Sequence, residues 1–511
     1  MTDASHTAPS TGRPESLGAL DGFVDRISDR FNPILVKELR QSLRGRAFRI
    51  AFICVLVLLT FASVGALLSA SRFGQAQGRE FFFGVYVCLG LALYGLVPFT
   101  AFSSLGGEWE ENTFDLLVLS NLRPSHVVRG KVMSAGVQAL LYLATFGPFL
   151  ACAFLMQGVD LGAMLVVLGI SFLWSLALSM LAIALSTLAR QRFLRIGMMV
   201  ALAGALATGF GMAMGGAQEL LREPELLRET EFLEGGVGFL LLGFFVTTLL
   251  FQIACNQLAH SEENRSTGLR LTTSGALLAG LTWASYMLIQ HPSGDALSAI
   301  FIVILFLGVV MPSTLFVSEP NPLGRRVSSE VARSRFWSWI TSPWLPGGGR
   351  GVVFYLLHLG LLMGIYPVLR VATRDSSTNT IGEEGLFGFY GICLYATGYV
   401  LLPSGLLSGS LGKLPVRIAA RILVPFLALV LFVLPALLSF LFGIDDSDSF
   451  RHPGNPGYFV SENWLGFEWP AAWAVVLVFA GSALAINLPR IFRGIQEVAA
   501  VRAKAEDSRA A

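Results

Sequence analysis

Apolar runs long enough to cross a bilayer recur along this chain, and they constrain its fold more than any other feature. A helix needs about 20 residues to cross a hydrocarbon core ~30 Å thick, and there it satisfies its own backbone polar groups. The sequence has twelve such runs. We therefore predict an all-α polytopic membrane protein with about 12 transmembrane helices. The predicted spans are 50–71, 81–105, 132–156, 161–188, 196–216, 236–259, 272–290, 296–317, 352–370, 385–405, 420–443 and 471–489.

The composition agrees with a membrane protein and excludes several other classes. Hydrophobic residues make up 54% of the chain and charged residues only 14%, whereas soluble domains are about 25% charged. Disordered proteins, disulfide-rich secreted domains and water-soluble Rossmann enzymes are thereby excluded. A net charge of +2 gives no reason to expect nucleic acid. The 5 cysteines all lie in apolar runs without a CxxC pair, so we expect neither disulfides nor a zinc site.

The distribution of basic residues predicts the orientation. Cytoplasmic segments of membrane proteins carry an excess of Lys and Arg. With a cytoplasmic N-terminus, 29 of the 36 Lys and Arg residues fall in cytoplasmic segments and 7 in outer loops. Adding or removing one span would exchange cytoplasmic and outer segments beyond it and abolish this excess of Lys and Arg in the cytoplasmic segments. We therefore expect a multi-pass protein of the cell (inner) membrane with both termini in the cytoplasm.

The spans divide the chain into four segments. Residues 1–30 are polar and lack the apolar core of a signal peptide, so we interpret them as a disordered cytoplasmic tail. Residues 31–260 and 261–495 hold six predicted spans each, which makes a 6+6 arrangement possible. Residues 496–511 form a second cytoplasmic tail.

The interior of the spans is almost free of charge. It holds no Asp, Glu or Lys, Arg occurs only at span ends, and His358 is the titratable group at depth. Intramembrane charges mark proton relays, ion pathways and voltage sensors, so their scarcity argues against these functions. We interpret His358 as a helix-packing hydrogen-bond donor. We predict no catalytic, metal or cofactor site, and thus no enzyme.

One fragment resembles a nucleotide site only superficially. Residues 407–414 read LSGSLGKL. A phosphate loop needs Gly five residues before its Gly-Lys pair and Ser or Thr after it, and leucines occupy both places. ATP hydrolysis would therefore have to come from a separate chain.

The first cytoplasmic stretch with a distinct pattern is residues 32–49. Its apolar residues recur at helical spacing among basic ones, and Asn32 and Pro33 suit the start of a helix. The pattern predicts an amphipathic helix that lies in the inner interface on membrane lipid. An ordinary basic flank is the alternative.

The second stretch, residues 106–131, joins spans 2 and 3. It begins with a dense acidic group and ends with a short predicted helix capped by Ser125. A loop that only reversed the chain would need fewer residues. We interpret it as a structured feature suited to docking on another protein.

Together the two stretches resemble the membrane subunits of ABC-2-type ABC transporters. Those subunits begin with an elbow helix of the form NP-x-x-x-KE-x-R, which is matched here by Asn32, Pro33, Lys37, Glu38 and Arg40. Their loop between spans 2 and 3 has a pattern like E-x-E-x-GT-x-E-LL-x-x-TP followed by GK. It is matched by Glu108, Glu110, Thr113, Asp115, Leu116, Leu117, Gly130 and Lys131, and departed from at Asn112, Ser120 and Asn121. The resemblance covers residues 30–260.

The resemblance implies a permease subunit that moves substrate when a separate ABC ATPase subunit hydrolyses ATP. In that family the loop between spans 2 and 3 seats in the ATPase. The ATPase-coupling residues implied here are Glu108, Glu110, Glu111, Asp115, Arg123, Arg129 and Lys131. The residues implied for the interfacial elbow helix are Lys37, Glu38, Arg40 and Arg44.

Several alternatives remain open at the level of sequence. The family's usual subunit forms a homodimer, and here the second six spans either replace the second copy or form an appended module. The segment 318–351 lies where a second coupling loop would fall. Outside the ABC-2 family, the spans also suit a 12-helix secondary transporter or a membrane scaffold without transport.

The predicted orientation can be tested by labelling single cysteines. We expect cysteines at Glu225 and Asp446 to react with a membrane-impermeant reagent added outside the cell, because both lie in predicted outer loops. Reactivity only after the inner face is opened, at either position, would rule out the twelve-span arrangement.

Overall fold

A computed structural model of the protein describes most of the chain outside its N-terminal tail and a few connecting segments. The described residues are 39–41, 43, 45–73, 78–110, 124–188, 192–259, 263–291, 300–320, 322–331, 334–372, 383–413, 415–424, 426–427, 430 and 469–510.

Helices, with no strand, form the secondary structure of these residues. They are α1 (Arg46–Phe73), α2 (Gly78–Gly90), α3 (Val97–Glu110), α4 (Pro124–Leu155), α5 (Leu161–Leu188), α6 (Arg192–Arg222), α7 (Thr230–Leu258), α8 (Thr267–Gln290), α9 (Met311–Val317), α10 (Arg325–Glu330), α11 (Arg335–Thr341), α12 (Gly348–Ala372), α13 (Glu383–Leu406) and α14 (Trp469–Ala510). Residues 300–304 and 415–424 are also helical. The π-helical turn Leu91–Leu96 joins α2 to α3. A second π-helical turn, Leu305–Val310, leads into α9.

Ten helical stretches in the described part of the chain are long and apolar enough to cross a membrane. They are Phe48–Gly65, Gly78–Leu105, Pro124–Leu155, Leu161–Leu188, Arg195–Arg222, Thr230–Leu258, Ile300–Val317, Gly348–Leu369, Gly388–Leu406 and Trp473–Lys504. Many large hydrophobic side chains on them are exposed, as a surrounding hydrocarbon solvent requires. The protein is therefore an all-α, multi-pass membrane protein.

Two of the twelve predicted spans are not among these ten. The span 272–290 corresponds to α8, which is helical but carries several Ser and Thr residues that lower its hydropathy. The span 420–443 lies mostly outside the described residues, so the number twelve stays a prediction. The predicted elbow 32–49 is described only in part, and its last residues belong to α1, which begins at Arg46.

The chain forms two compact units. The first comprises the described residues up to Phe232 together with Ile253–Leu258, and the second comprises Leu233–Gln252 and the described residues from Ala259 onward. The long helix α7 thus contributes its middle to the second unit and its C-terminal end to the first.

A π-helical turn interrupts the second membrane helix of the first unit, and a serine hydroxyl replaces a backbone hydrogen bond that is missing there. The N–H of Val97 bonds the carbonyl of Ala92, five residues back. The next residue in this register, Pro98, has no N–H to give the carbonyl of Leu93. Ser175 of α5, fully buried, donates its hydroxyl to that oxygen at 2.6 Å. Packing of α5 therefore replaces the bond that the proline removes.

A hydroxyl network lies beside this turn. The Tyr86 hydroxyl is 2.8 Å from that of Tyr94 and 2.7 Å from that of Ser171. All three residues are buried. The network fixes α2, the turn and α5 to one another with polar groups that would be costly to leave unpaired in an apolar core.

In the second unit an aromatic cluster joins three helices. The rings of Tyr366 (α12) and Phe389 (α13) stack at 4.4 Å, and Phe301 meets both edge-on at 5.1 and 5.8 Å. The final helix α14 adds a polar contact, because Asn487 donates to the carbonyl of Leu401 on α13 at 2.8 Å.

The two units share local features in the same chain order. Each π-helical turn precedes the pattern P-x-T-x-F-x-S, which begins at Pro98 in the first unit and at Pro312 in the second. In α4 and α12 a buried basic residue stands at the same spacing before an internal proline. The pairs are Lys131 with Pro148 and Arg350 with Pro367.

The role of Ser175 predicts a stability effect. Ser175→Ala should lower the free energy of unfolding by about 0.6–1.7 kcal/mol, the range for interhelical hydrogen bonds in membranes, because the Leu93 carbonyl loses its donor. Reversible unfolding in mixed detergent micelles would measure it. Ser103→Ala is the control, because that exposed hydroxyl bonds its own helix. Equal stability of both variants would contradict the claim that the Ser175 hydroxyl replaces the missing backbone hydrogen bond.

Candidate functional site

The loop predicted to couple to an ATPase emerges between two packed helices. α3 runs past the end of its apolar stretch at Leu105 and ends at Glu110, and α4 begins at Pro124. Glu108 and Glu110 therefore lie on the last turns of α3, although the description stops at their backbone. Arg129, near the start of α4, has an exposed side chain.

Lys131 has a different environment from Arg129, the other coupling residue whose side chain is described. Its side chain is only 3% exposed, and its Nζ donates to the hydroxyl of Ser104 on α3 at 3.4 Å. The contact ties the beginning of α4 to the end of α3. Lys131 is thus placed to hold the two ends of the loop together rather than to face a partner.

The other predicted residues are mostly beyond what the structure describes. Of the coupling set, Glu111, Asp115 and Arg123 lie outside the described residues. So do Lys37, Glu38 and Arg44 of the elbow, whereas Arg40 is helical and exposed. Their assigned roles stay predictions.

In the second unit the segment 318–351 is anchored by a buried arginine that sequence analysis missed. Arg270, on α8, has no exposed surface. Its guanidinium donates to the backbone carbonyls of Pro343, Leu345 and Gly347 at 2.7, 2.6 and 3.1 Å. One side chain thus donates to three carbonyls of the segment that leads from the 3₁₀-helical turn Ser342–Trp344 to the start of α12.

Glu319 supplies the opposite charge. Its Oε2 accepts from Arg270 at 2.7 Å and from the backbone N–H of Gly347 at 2.9 Å. Burial lowers the pKa of Arg270, and the nearby Glu319 carboxylate opposes that shift. A buried ion becomes tolerable only when its hydrogen bonds are satisfied in this way.

A second ion pair fastens the same segment to the last helix. Arg350, 2% exposed at the start of α12, donates to Glu497 of α14 at 3.1 Å and to the carbonyl of Gly494 at 3.0 Å. The other oxygen of Glu497 accepts from the backbone N–H of Leu323 at 2.6 Å. α14 therefore holds both ends of the segment 323–350.

The glycines before Arg350 permit this close packing. Gly347 has φ +132°, a conformation that side chains disfavour. A Cβ on Gly349 would lie 2.0 Å from the carbonyl oxygen of Arg490. The sequence PGGGRG at 346–351 thus leads from a bend into the first turn of α12, which lies against the backbone of α14. Three successive glycines before an arginine were the only sequence signal for it.

The short helix α11 within this segment exposes three aromatic side chains. They are Phe336, Trp337 and Trp339, at 64%, 58% and 71% exposure. Exposed Trp residues beside a basic residue, here Arg335, are typical of a membrane–water interface.

His358 makes packing hydrogen bonds, as the sequence predicted. Its Nε2 lies 2.8 Å from the hydroxyl of Ser274, and its Nδ1 lies 2.7 Å from the carbonyl of Phe354. Trp344 also donates to the Ser274 hydroxyl at 2.8 Å. These contacts link α8, α12 and the turn at 342–344.

The described residues include no group of three or more His, Cys, Asp and Glu side chains able to hold a metal ion. The cysteines are all free. The chain matches no protein-family model, no curated protein and no solved structure.

The anchoring of the segment 318–351 by Arg270 predicts a loss of stability when this arginine is removed. Arg270→Ala should cost about 3–5 kcal/mol of unfolding free energy, because it removes the positive charge beside Glu319 and one donor from each of three carbonyls. It should also speed proteolysis within 322–347. Arg326→Ala is the matched control: its exposed pair with Glu263, at 3.5 Å, is worth about 0–1 kcal/mol. Equal losses in the two variants would refute the anchoring role.

Proposed function

We propose that this protein is the membrane-spanning permease subunit of an ABC-2-type ABC transporter. It lies in the cell inner membrane with both termini in the cytoplasm, and it moves substrate when a separate ATPase subunit hydrolyses ATP. The observation that carries this proposal is the loop 106–131, together with the elbow pattern at 32–49. The two patterns match the family independently of each other.

The geometry around the loop supports a mechanical role. α3 continues beyond its apolar stretch, and Lys131 near the start of α4 joins the two helices through Ser104. A force applied to the loop by a partner would therefore be passed to two helices at once. Ser175 in turn links α5 to the π-helical turn that precedes α3, so a movement of α3 is transmitted to a third helix.

The chain itself supplies no phosphate loop, so the nucleotide chemistry belongs to the partner. Interface carboxylates and basic residues at the loop are suited to charge pairing with an ATPase surface. Prolines inside α4, α12 and α13 each remove one helical N–H donor, which favours bending of these helices.

The second unit supports a 6+6 arrangement within one chain. Its π-helical turn, its P-x-T-x-F-x-S pattern and its buried Arg350 repeat features of the first unit. The segment 318–351 then occupies the place of the second coupling loop. A homodimer of the whole chain is the competing arrangement, and the mass of the purified assembly distinguishes the two.

Charge reversal at the loop tests the proposal. Glu108→Lys with Glu110→Lys should weaken association with the ATPase subunit that co-purifies with the wild-type chain by at least about tenfold. One decade corresponds to ~1.4 kcal/mol, and truncated interface charge pairs cost about 2–5 kcal/mol. Membrane insertion should be unchanged because both residues lie beyond the apolar stretch.

The control is Glu225→Lys with Glu229→Lys, two exposed residues on the predicted outer side. This variant should bind the ATPase normally at matched expression. Full ATPase binding and transport by the Glu108/Glu110 variant would contradict the coupling assignment and favour a secondary transporter.

A further inference from the structure

An apolar groove runs along three helices of the second unit. It has a volume of about 360 Å³ and is lined by α7, α8 and the helical residues 300–308. Its floor includes the fully buried Leu277, and its rims include Leu242 and Val303, each about half exposed. The lining is almost wholly hydrocarbon, so water or a polar solute would gain few hydrogen bonds in it.

The length of the groove matches one leaflet of a bilayer. Its lining on α7 runs from Gly238 to Leu249, which at ~1.5 Å per residue is about 16 Å. The hydrocarbon core is ~30 Å thick, so the groove covers about half of it. Its volume lies within the range of about 300–1,000 Å³ found for small-molecule pockets.

A polar cluster stands at one end of the groove. Glu234 lies four residues before Gly238 on α7, and its carboxylate oxygens are 2.8 Å from the Tyr286 hydroxyl and 2.8 Å from Nε2 of His291. Trp283 connects the two regions, because it lines the groove and donates its indole N–H to the Glu234 carbonyl at 3.1 Å.

The cluster suits a cationic group. The two bonds use about half of the acceptor positions of a carboxylate, and the Glu234 side chain is 17% exposed. The half-exposed ring of Tyr286 adds an aromatic surface on which a cation is also favoured. Glu234 lies at the end of α7 that the basic-residue count places at the outer face.

We propose that this groove binds one outer-leaflet phospholipid, with an acyl chain along α7 and α8 and the ammonium of a primary-amine headgroup at Glu234. The apolar lining and its one-leaflet length select the chain, and the carboxylate at its end selects the headgroup. This inference does not rest on the proposed transport function; its assignment to the outer leaflet rests on the orientation predicted from the basic residues.

Gly280 offers a place from which the groove can be filled. A Cβ added at Gly280, which lines the groove, meets nothing within 4 Å. Gly280→Leu should therefore occupy the space of the acyl chain. Gly243→Leu is the matched control, because Gly243 also has open space around it but is not part of the lining.

The measurement is native mass spectrometry of the purified chain after incubation with equal amounts of dioleoyl phosphatidylethanolamine and dioleoyl phosphatidylglycerol. The wild type and Gly243→Leu should retain one lipid, with the ethanolamine form preferred. Gly280→Leu should reduce retention of both lipids by about tenfold. Equal lipid retention by Gly280→Leu and Gly243→Leu would overturn the proposal. So would a Gly280→Leu variant that keeps its lipid but no longer forms a dimer, because the groove would then be an interface between two copies of the chain.

The headgroup is tested separately. Glu234→Gln should leave total lipid retention nearly unchanged. It should reduce the preference for the ethanolamine lipid by roughly three- to fivefold, because that is about the largest change in affinity that a partly exposed charge pair provides. An unchanged preference would refute the headgroup assignment. If Gly280→Leu fails to fold, a diazirine-bearing phosphatidylethanolamine should label wild-type peptides containing 276–283 and 300–308. Labelling confined to other helices would refute the site.

Discussion

The absence of water in the hydrocarbon core governs this structure. Every backbone N–H and C=O there must find a partner within the protein, so each departure from a regular α-helix needs a specific replacement. The turn Leu91–Leu96 shows the principle, because Pro98 leaves the Leu93 carbonyl without an N–H and Ser175 supplies a hydroxyl. A fold made of apolar helices thus depends on a few hydroxyl groups placed where those helices deviate.

The same constraint explains the buried charges of the second unit. Arg270 and Arg350 are almost fully buried, yet each serves several oxygen atoms, including a carboxylate. Arg270 donates to three carbonyls between residues 343 and 347, where the regular α-helix is interrupted. Ion pairs of this kind add little net stability, but they fix one conformation of the segment 318–351 against α8 and α14.

The sequence predicted the helical class and most spans because long apolar runs have few alternatives in a bilayer. It predicted the packing role of His358 from the lack of carboxylates within the spans. It did not predict the burial of Lys131, because a basic residue at a span end has the same pattern whether it faces a partner or a neighbouring helix. Arg270 and Glu319 were missed for a related reason: they lie far apart in the chain, and only tertiary packing brings them together. Much of the candidate coupling surface lies outside the described residues, so its assignment still rests on sequence.

The π-helical turn before α3 has a geometric consequence at the far end of that helix. Each residue advances an α-helix by about 100° around its axis, so the wider turn at Leu91–Leu96 changes the azimuth of every later side chain relative to α2. The Ser104 hydroxyl that accepts from Lys131 therefore takes its direction partly from a turn deep in the membrane. A chain that lost one residue of this turn would move that hydroxyl away from Lys131 without altering either residue.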